Sequence, residues 1–301
     1  MAKIFLTGAT GNVGRPVIAE LLRHGHEVTA LVHRRISGLD NCCTIQASLS
    51  ESQEYARDVA ASDGVIHLAS TRSMKREPVL KEDIYGTGLL LDNWRKGNFV
   101  YMSSQSVYGV PQGPLTENHP ISPVCWYDIA KICCEYQIAI EEPKPGRGVG
   151  VPLRMALLFG PGGNGRGDQY LEMLYPLCAQ GRVFAFKSEE ALENAGSSFV
   201  GPEDLARAIV TSLELKTAGP FNISSGFCTW KVLLKSICKK AGFKQPKFTV
   251  VKKLSPCSKY VTLPQSRSFV DSTSFYKVAK FSPKQDLDSL LDVFIHSQKK
   301  T

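Results

Sequence analysis

The chain has no apolar run near the roughly 18 residues that a membrane-spanning helix needs, and no basic-then-apolar leader: after one Lys it goes straight into Ile4-Phe5-Leu6. The expectation is a cytoplasmic protein with no membrane contact. None of its nine cysteines stands in a CxxC pair, and no Cys/His cluster has zinc-ligand spacing. No metal is expected, and the thiols read as reduced and mostly packed. Internal repeats and low-complexity tracts are also absent. Basic residues do not interleave with aromatic ones as they do on an RNA-binding sheet, so nucleic acid is not expected as a partner. The net charge is nevertheless +8. From Gly226 onward fifteen Lys and Arg stand against four Asp, which leaves the remainder slightly acidic. A solvated Lys-rich surface, attraction of a phosphorylated substrate and a nucleic-acid face all fit that excess.

At 301 residues and 43% hydrophobic content, the chain can build one large core or two domains. Its start carries the most information. Lys3 to Leu6 reads as a buried strand, Thr7-Gly8-Ala9-Thr10-Gly11-Asn12-Val13-Gly14 as a glycine turn, and Arg15 to His24 as a helix with apolar Val17, Ile18, Leu21 and Leu22. Strand, glycine turn and helix N-terminus together make an anion cradle suited to a pyrophosphate. The spacing of Gly8, Gly11 and Gly14 is GxxGxxG, not GxGxxG. A second strand, Glu27 to Val32, ends at His33-Arg34-Arg35, about twenty residues beyond the turn, where an acid would hold the ribose of NAD. The arginines there suit a 2′-phosphate, so NADP is expected, with NAD as the alternative.

Strands and helices then alternate: strands at Thr44–Ala47, Gly64–Ala69 and Asn98–Met102, helices at Ser52–Ala61 and Val79–Lys96. This pattern predicts βαβ units and an α/β, Rossmann-type, doubly wound parallel sheet. His67, inside an apolar run, reads as a core histidine. A helix opens at Tyr127-Asp128-Ile129-Ala130-Lys131 and a strand follows at Val149–Phe159. The segment from Gly160 to Ser198 reads as an inserted lid, and helices at Thr229–Gly242 and Asp286–His296 belong to a smaller basic lobe. The division is therefore a cofactor-binding core of residues 1–159 completed by 199–225, and a substrate-binding lobe of 160–198 and 226–301.

The strand ending in Ser103-Ser104 and the pair Tyr127 and Lys131, four apart on one helix face, lie at the ligand-binding edge of such a sheet. Their chemistry is complementary. A carbonyl that accepts a hydride needs a proton, which a tyrosine can supply. A lysine cation favours the phenolate form of that tyrosine. A serine hydroxyl holds the substrate oxygen as charge develops.

TGATGNVG, GVIHLA, FVYMSSQSVYG, YDIAK, LRMALLFGPG and FNISSG occur in this order over nearly the full length. In this the chain resembles the extended short-chain dehydrogenases/reductases, the NAD(P)-dependent epimerase/dehydratase family of nucleotide-sugar enzymes. The resemblance implies Ser104, Tyr127 and Lys131 as catalytic residues. It implies a cofactor held by Gly8, Thr10, Gly11, Asn12, Val13, Gly14, His33, Arg34, Arg35, Leu68, Ala69, Ser70, Tyr127 and Lys131. Substrate falls to Thr71, Ser104, Gln105, Ser106, Arg166 and Arg267. A homodimer through the helices around Val79–Lys96 and Tyr127–Glu141 is implied as well.

The departures from the family pattern bear on activity. Gln105 and Ser106 stand where dehydratases carry Asp-Glu, so dehydration is not expected. Ser197 replaces a phosphate-gripping Arg, Ser48 an acid near the adenine, and Asp83 an Asn. The expected function is reduction or epimerisation at a keto or hydroxyl carbon of a sugar, nucleotide-linked by preference. Reduction of a non-nucleotide carbonyl compound, and a non-enzymatic NADP(H)-sensing or nucleic-acid-associated role, are the alternatives.

Overall fold

The computed structural model describes residues 1–33, 39–110, 113–160, 170–252 and 259–299. Seven parallel strands form the central sheet: β1 (Lys3–Thr7), β2 (Glu27–Val32), β3 (Cys43–Gln46), β4 (Gly64–His67), β5 (Phe99–Ser104), β6 (Gly150–Met155) and, from later in the chain, β10 (Phe221–Ile223). Their spatial order is β10-β6-β5-β4-β1-β2-β3. The order reverses between β1 and β4, and a ligand binds in the crevice beyond the strand ends at such a point. The doubly wound sheet expected from the alternation is therefore present.

Each inner strand is apolar because both its faces are covered. On one face the helix Gly14–Arg23 buries Val17, Ile18 and Leu21 beside Ile4, Leu6, Val28 and Ile209. On the other, Phe5, Val65 and Phe99 pack with Tyr55, Leu90, Trp94 and Ile138. A separate core joins Phe159, Leu171, Phe184, Phe199, Trp230, Leu233, Leu291 and Phe294. Two small sheets frame it. One is made of β7 (Leu157–Leu158), β9 (Gly196–Val200), β11 (Gly226–Thr229) and β14 (Arg267–Ser268). The other has β8 (Val183–Phe186) between β12 (Lys247–Val250) and β13 (Val261–Thr262).

Three readings of the sequence need correction. The segment taken for a lid is no appendage: β8 and β9 are almost wholly buried, and β9 runs through the 198/199 boundary. The strand Val149–Phe159 is two strands, β6 and β7, which belong to different sheets. The helix expected over Val79–Lys96 is a short turn Arg76–Pro78, a π-helix Val79–Tyr85 and an α-helix Gly86–Asn93. The 3.6-residue period does not register the one extra residue that a π turn inserts.

Candidate active site

The glycine turn is shaped by close approach. Gly8 has φ +76°, and a Cβ there would lie 2.7 Å from the Ala69 nitrogen. A Cβ on Gly14 would lie 2.2 Å from the Gly8 carbonyl oxygen. Only glycine fits either place, and the turn is thereby pressed against the end of β4. The Ala69 N–H donates to Thr7 Oγ1 at 3.1 Å, and the Leu68 N–H to the Thr7 carbonyl at 3.3 Å. Val13, the N-cap of the helix that begins at Gly14, makes no side-chain cap, and the first turn carries no acid. The positive end of its dipole thus faces the turn without a compensating carboxylate.

His67 is the core histidine the sequence suggested. Its Nδ1 lies 2.7 Å from Thr7 Oγ1 and its Nε2 2.9 Å from Thr87 Oγ1. Burial, and then the Lys131 cation, lower its pKa to about 3. An unfolded histidine titrates near 6.5. Between those values the unfolded chain binds the extra proton, so stability is full above about 6.5 and falls as the pH drops. The loss approaches about 1.4 kcal/mol per pH unit. Urea unfolding from pH 7 to pH 4 should show this slope in the wild type and a shallower one in His67→Gln; equal slopes would refute the assignment.

Ser104 ends β5. Its Oγ accepts from the Ser106 N–H at 3.2 Å and from the Ser106 hydroxyl at 3.0 Å. With two donors turned toward its oxygen, the Ser104 hydroxyl has no protein acceptor among the described residues. Tyr127 is half-buried in the first turn of the helix Trp126–Glu141. One turn on, Lys131 is 3% exposed. Its Nζ donates to the Met102 carbonyl at 2.7 Å and lies 4.8 Å from the Tyr101 ring centroid and 5.4 Å from that of Tyr127. An ammonium has three protons to donate. With one carbonyl and two ring faces around it, it suits the addition of sugar hydroxyls. The glycine cradle and this under-coordinated cation therefore fit a dinucleotide.

The expected substrate residues divide. Ser106 is committed to Ser104. Gln105 donates to Ser197 Oγ at 3.2 Å, while its Oε1 is buried with no partner among the described residues. Thr71 is exposed, and its N–H and hydroxyl both donate to the buried Asp83, at 2.7 and 2.6 Å. Arg267, exposed on β14, stacks on Phe227 and Phe269 with centroid distances of 4.7 and 5.8 Å, one residue from Ser268, the neighbour of Ser197 across β9. His33 is exposed at the end of β2, and Ser70 is half-buried after β4. Arg34, Arg35 and Arg166 lie outside the described residues. Thr10, Gly11, Asn12 and Val13 form the half-buried turn itself.

A buried polar network behind the site escaped the sequence reading. Arg154 Nη2 donates to Glu135 Oε2 at 2.7 Å, and the Ser103 hydroxyl to Glu135 Oε1 at 2.5 Å. Arg154 Nη1 donates to the Tyr108 hydroxyl at 3.0 Å, which in turn donates to Asn222 Oδ1 at 2.7 Å. Burial works against the Arg154 charge, but Glu135 outweighs it and raises its pKa. The available signal was a lone Arg in a buried strand, since such a charge needs a partner. Glu135 stands four residues after Lys131, on the same helix face.

Residues 4–224 match the model of the NAD dependent epimerase/dehydratase family, which is most of the chain. The chain belongs to this family. It is an extended short-chain dehydrogenase/reductase, an enzyme of an NAD-dependent family, and the non-enzymatic alternative falls away. A UDP-glucose 4-epimerase of Corynebacterium glutamicum is 30% identical over 250 residues, 74% of this chain and 75% of that one. A decarboxylating sterol-4-alpha-carboxylate 3-dehydrogenase of Dictyostelium discoideum is 26% identical over 196 residues, 59% of this chain and 58% of the other. The UDP-glucose 4-epimerase of Thermotoga maritima, solved with UDP-glucose, superposes with a TM-score of 0.80 over 99% of both chains at 22% identity, a likeness of fold. No helix among the described residues is long and apolar enough to cross a membrane.

Proposed function

We propose that the protein reduces or epimerises a hydroxyl- or keto-bearing carbon of a nucleotide-linked sugar, with Ser104, Tyr127 and Lys131 as its catalytic residues. The observation that carries this reading is the buried Lys131 ammonium between Tyr101 and Tyr127, near the end of the strand where Ser104 Oγ accepts from Ser106. When bound, the nicotinamide supplies or takes up the hydride. The Tyr127 phenol would give its proton to the substrate oxygen, and in the opposite direction its phenolate would take the proton of the substrate hydroxyl. Ser104 donates a hydrogen bond to the same oxygen, and Lys131 holds the phenol and a ribose. Residues 8–14 and 68–70 hold the pyrophosphate and the rest of the cofactor. Gln105 and Ser106, at the places of the dehydratases' Asp-Glu pair, are tied to Ser197 and Ser104, so those two positions offer no carboxylates for elimination of water.

We assign Arg34 and Arg35 to the 2′-phosphate of NADP. Exposed Tyr85, Tyr136 and Ile140, on the π-helix and on the helix Trp126–Glu141, support pairing with a second copy.

One specific observation favours a second reading, a non-nucleotide carbonyl substrate. Ser197 is 3% exposed, and its hydroxyl, bonded to the Ser198 carbonyl, leaves no grip for a diphosphate. Incubation of the purified chain with UDP-glucose, with the products resolved by NMR and the carried nucleotide by mass spectrometry, separates the two. Conversion of the sugar, NADP bound about tenfold more tightly than NAD, loss of that ratio in Arg34→Ala, and sedimentation as a dimer are the expected results. Absence of UDP binding moves the assignment to the second reading. Tighter NAD binding, unaffected by Arg34→Ala, refutes the NADP preference.

A further inference from the structure

A cavity of about 510 Å³ opens at the ends of β2 and β3, lined by His33, Ser48, Ser50, Glu51, Glu82 and Tyr85, together with Lys81. Its volume is that of an ordinary small-molecule pocket. It lies on the adenosine side of the glycine turn, because β2 and β3 are the strands beyond β1 on the side away from β4.

The polar groups inside it are oriented. Glu82 Oε2 accepts from the Ser48 hydroxyl at 2.5 Å, and Glu82 Oε1 from the Ser50 hydroxyl at 3.1 Å. The Ser48 N–H is turned away to Glu51 Oε2 at 2.7 Å. Each Glu82 oxygen has taken one donor and can take another. The side chain is 26% exposed, and its nearest cation among the described residues, Lys81 Nζ, stands 3.9 Å off and is itself 67% exposed. The backbone that presents it is anchored as well. Glu82 lies in the π-helix Val79–Tyr85, a form that recurs at functional sites. The next residue, Asp83, is 4% exposed and holds both the N–H and the hydroxyl of Thr71.

We propose that Glu82, fixed by Ser48 and Ser50, accepts a hydrogen bond from the exocyclic amino group of the adenine and makes this cavity selective for that base. The acid missing after the third strand is thus replaced by one from another element, bonded to the very serine that stands in its place. An amino group offers protons to a carboxylate, whereas hypoxanthine presents a carbonyl oxygen on the same edge and is repelled. Glu82 is on this account a specificity-determining residue for the cofactor, remote from the reacting atoms. The inference rests on the dinucleotide reading above.

The test is calorimetric titration of the full chain with NAD and NADP and with their hypoxanthine counterparts. The wild type should bind the adenine form at least about tenfold more tightly, since a site built to bond an N–H rejects an analogue without it. In Glu82→Gln the ratio should fall below about threefold, because an amide can present a donor or an acceptor. Equal wild-type affinity for the two bases overturns the proposal, with the dinucleotide reading intact, and needs no variant. An unchanged ratio in Glu82→Gln overturns it as well. Failure of every dinucleotide to bind overturns both readings.

Discussion

Tyr127→Phe should lower turnover by about 10²- to 10⁴-fold, the usual contribution of a positioned general acid–base, while the dinucleotide still binds within a few-fold of wild type. The change removes one oxygen and keeps the ring that packs near Lys131. No protein hydrogen bond of that hydroxyl is recorded among the described residues, so folding should be little affected. A carbonyl oxygen that becomes an alkoxide would then have only Ser104 as a donor, and a serine hydroxyl is a poor proton source at neutral pH. Lys131→Met separates the two roles of the lysine. It should weaken the dinucleotide as well as the rate, because the ammonium donates to the Met102 carbonyl and has further protons for a sugar hydroxyl. Stopped turnover and equilibrium binding measured on the same preparations decide the matter. Turnover unchanged in Tyr127→Phe would remove the tyrosine from the mechanism.

Arg154→Met should cost about 3–5 kcal/mol of stability, the usual penalty for stranding one member of a buried ion pair. Arg154 and Glu135 are 5% and 7% exposed, so neither finds water when the other is lost. Without the guanidinium, Glu135 keeps only the Ser103 hydroxyl, and Tyr108 keeps only Asn222. Replacement of both partners with apolar residues should restore most of the loss, since a well-packed pair of that kind often equals a salt bridge. Urea midpoints for Arg154→Met and for the double variant Arg154→Met/Glu135→Leu measure this. A single-variant cost below about 1 kcal/mol, the range of an exposed pair, would show that the pair is not buried in solution. Turnover is a second readout: Glu135 lies one turn beyond Lys131, and a shift of that helix against β5 would displace the ammonium.

What could be read from the sequence was local or followed from the sheet's regularity. Gly8 and Gly14 were legible because a strand, a turn and a helix are contiguous in the chain. The positions of Ser104 at a strand end and of Tyr127 and Lys131 one turn apart on a helix were legible because parallel strands put their carboxyl ends on one edge, and residues four apart share a helix face. What stayed hidden joins distant segments. Glu82 and Ser48 are separated by 34 positions and meet only after the π-helix packs beside β3. Glu135 and Arg154 belong to a helix and a strand whose mutual register no spacing reveals. Asp83 was visible only as a departure from the family's Asn; in the structure it is a buried anchor for Thr71. The segment before Ser198 looked like a lid because glycine-rich loops and short apolar strands carry little periodicity, yet Phe184, Phe186 and Phe199 lie at the centre of the second core.

The two cores are threaded through each other along the chain. Phe159 to Phe186 belong to the second, Phe221 and Ile223 complete the first, Trp230 to Cys238 return to the second, Phe275 returns to the first, and Phe294 closes the second. During synthesis, a ribosome that has released the nucleotide-binding half still holds back the strand that seals its edge. Neither core is complete until its last members, Phe275 for the first and Phe294 for the second, have been made.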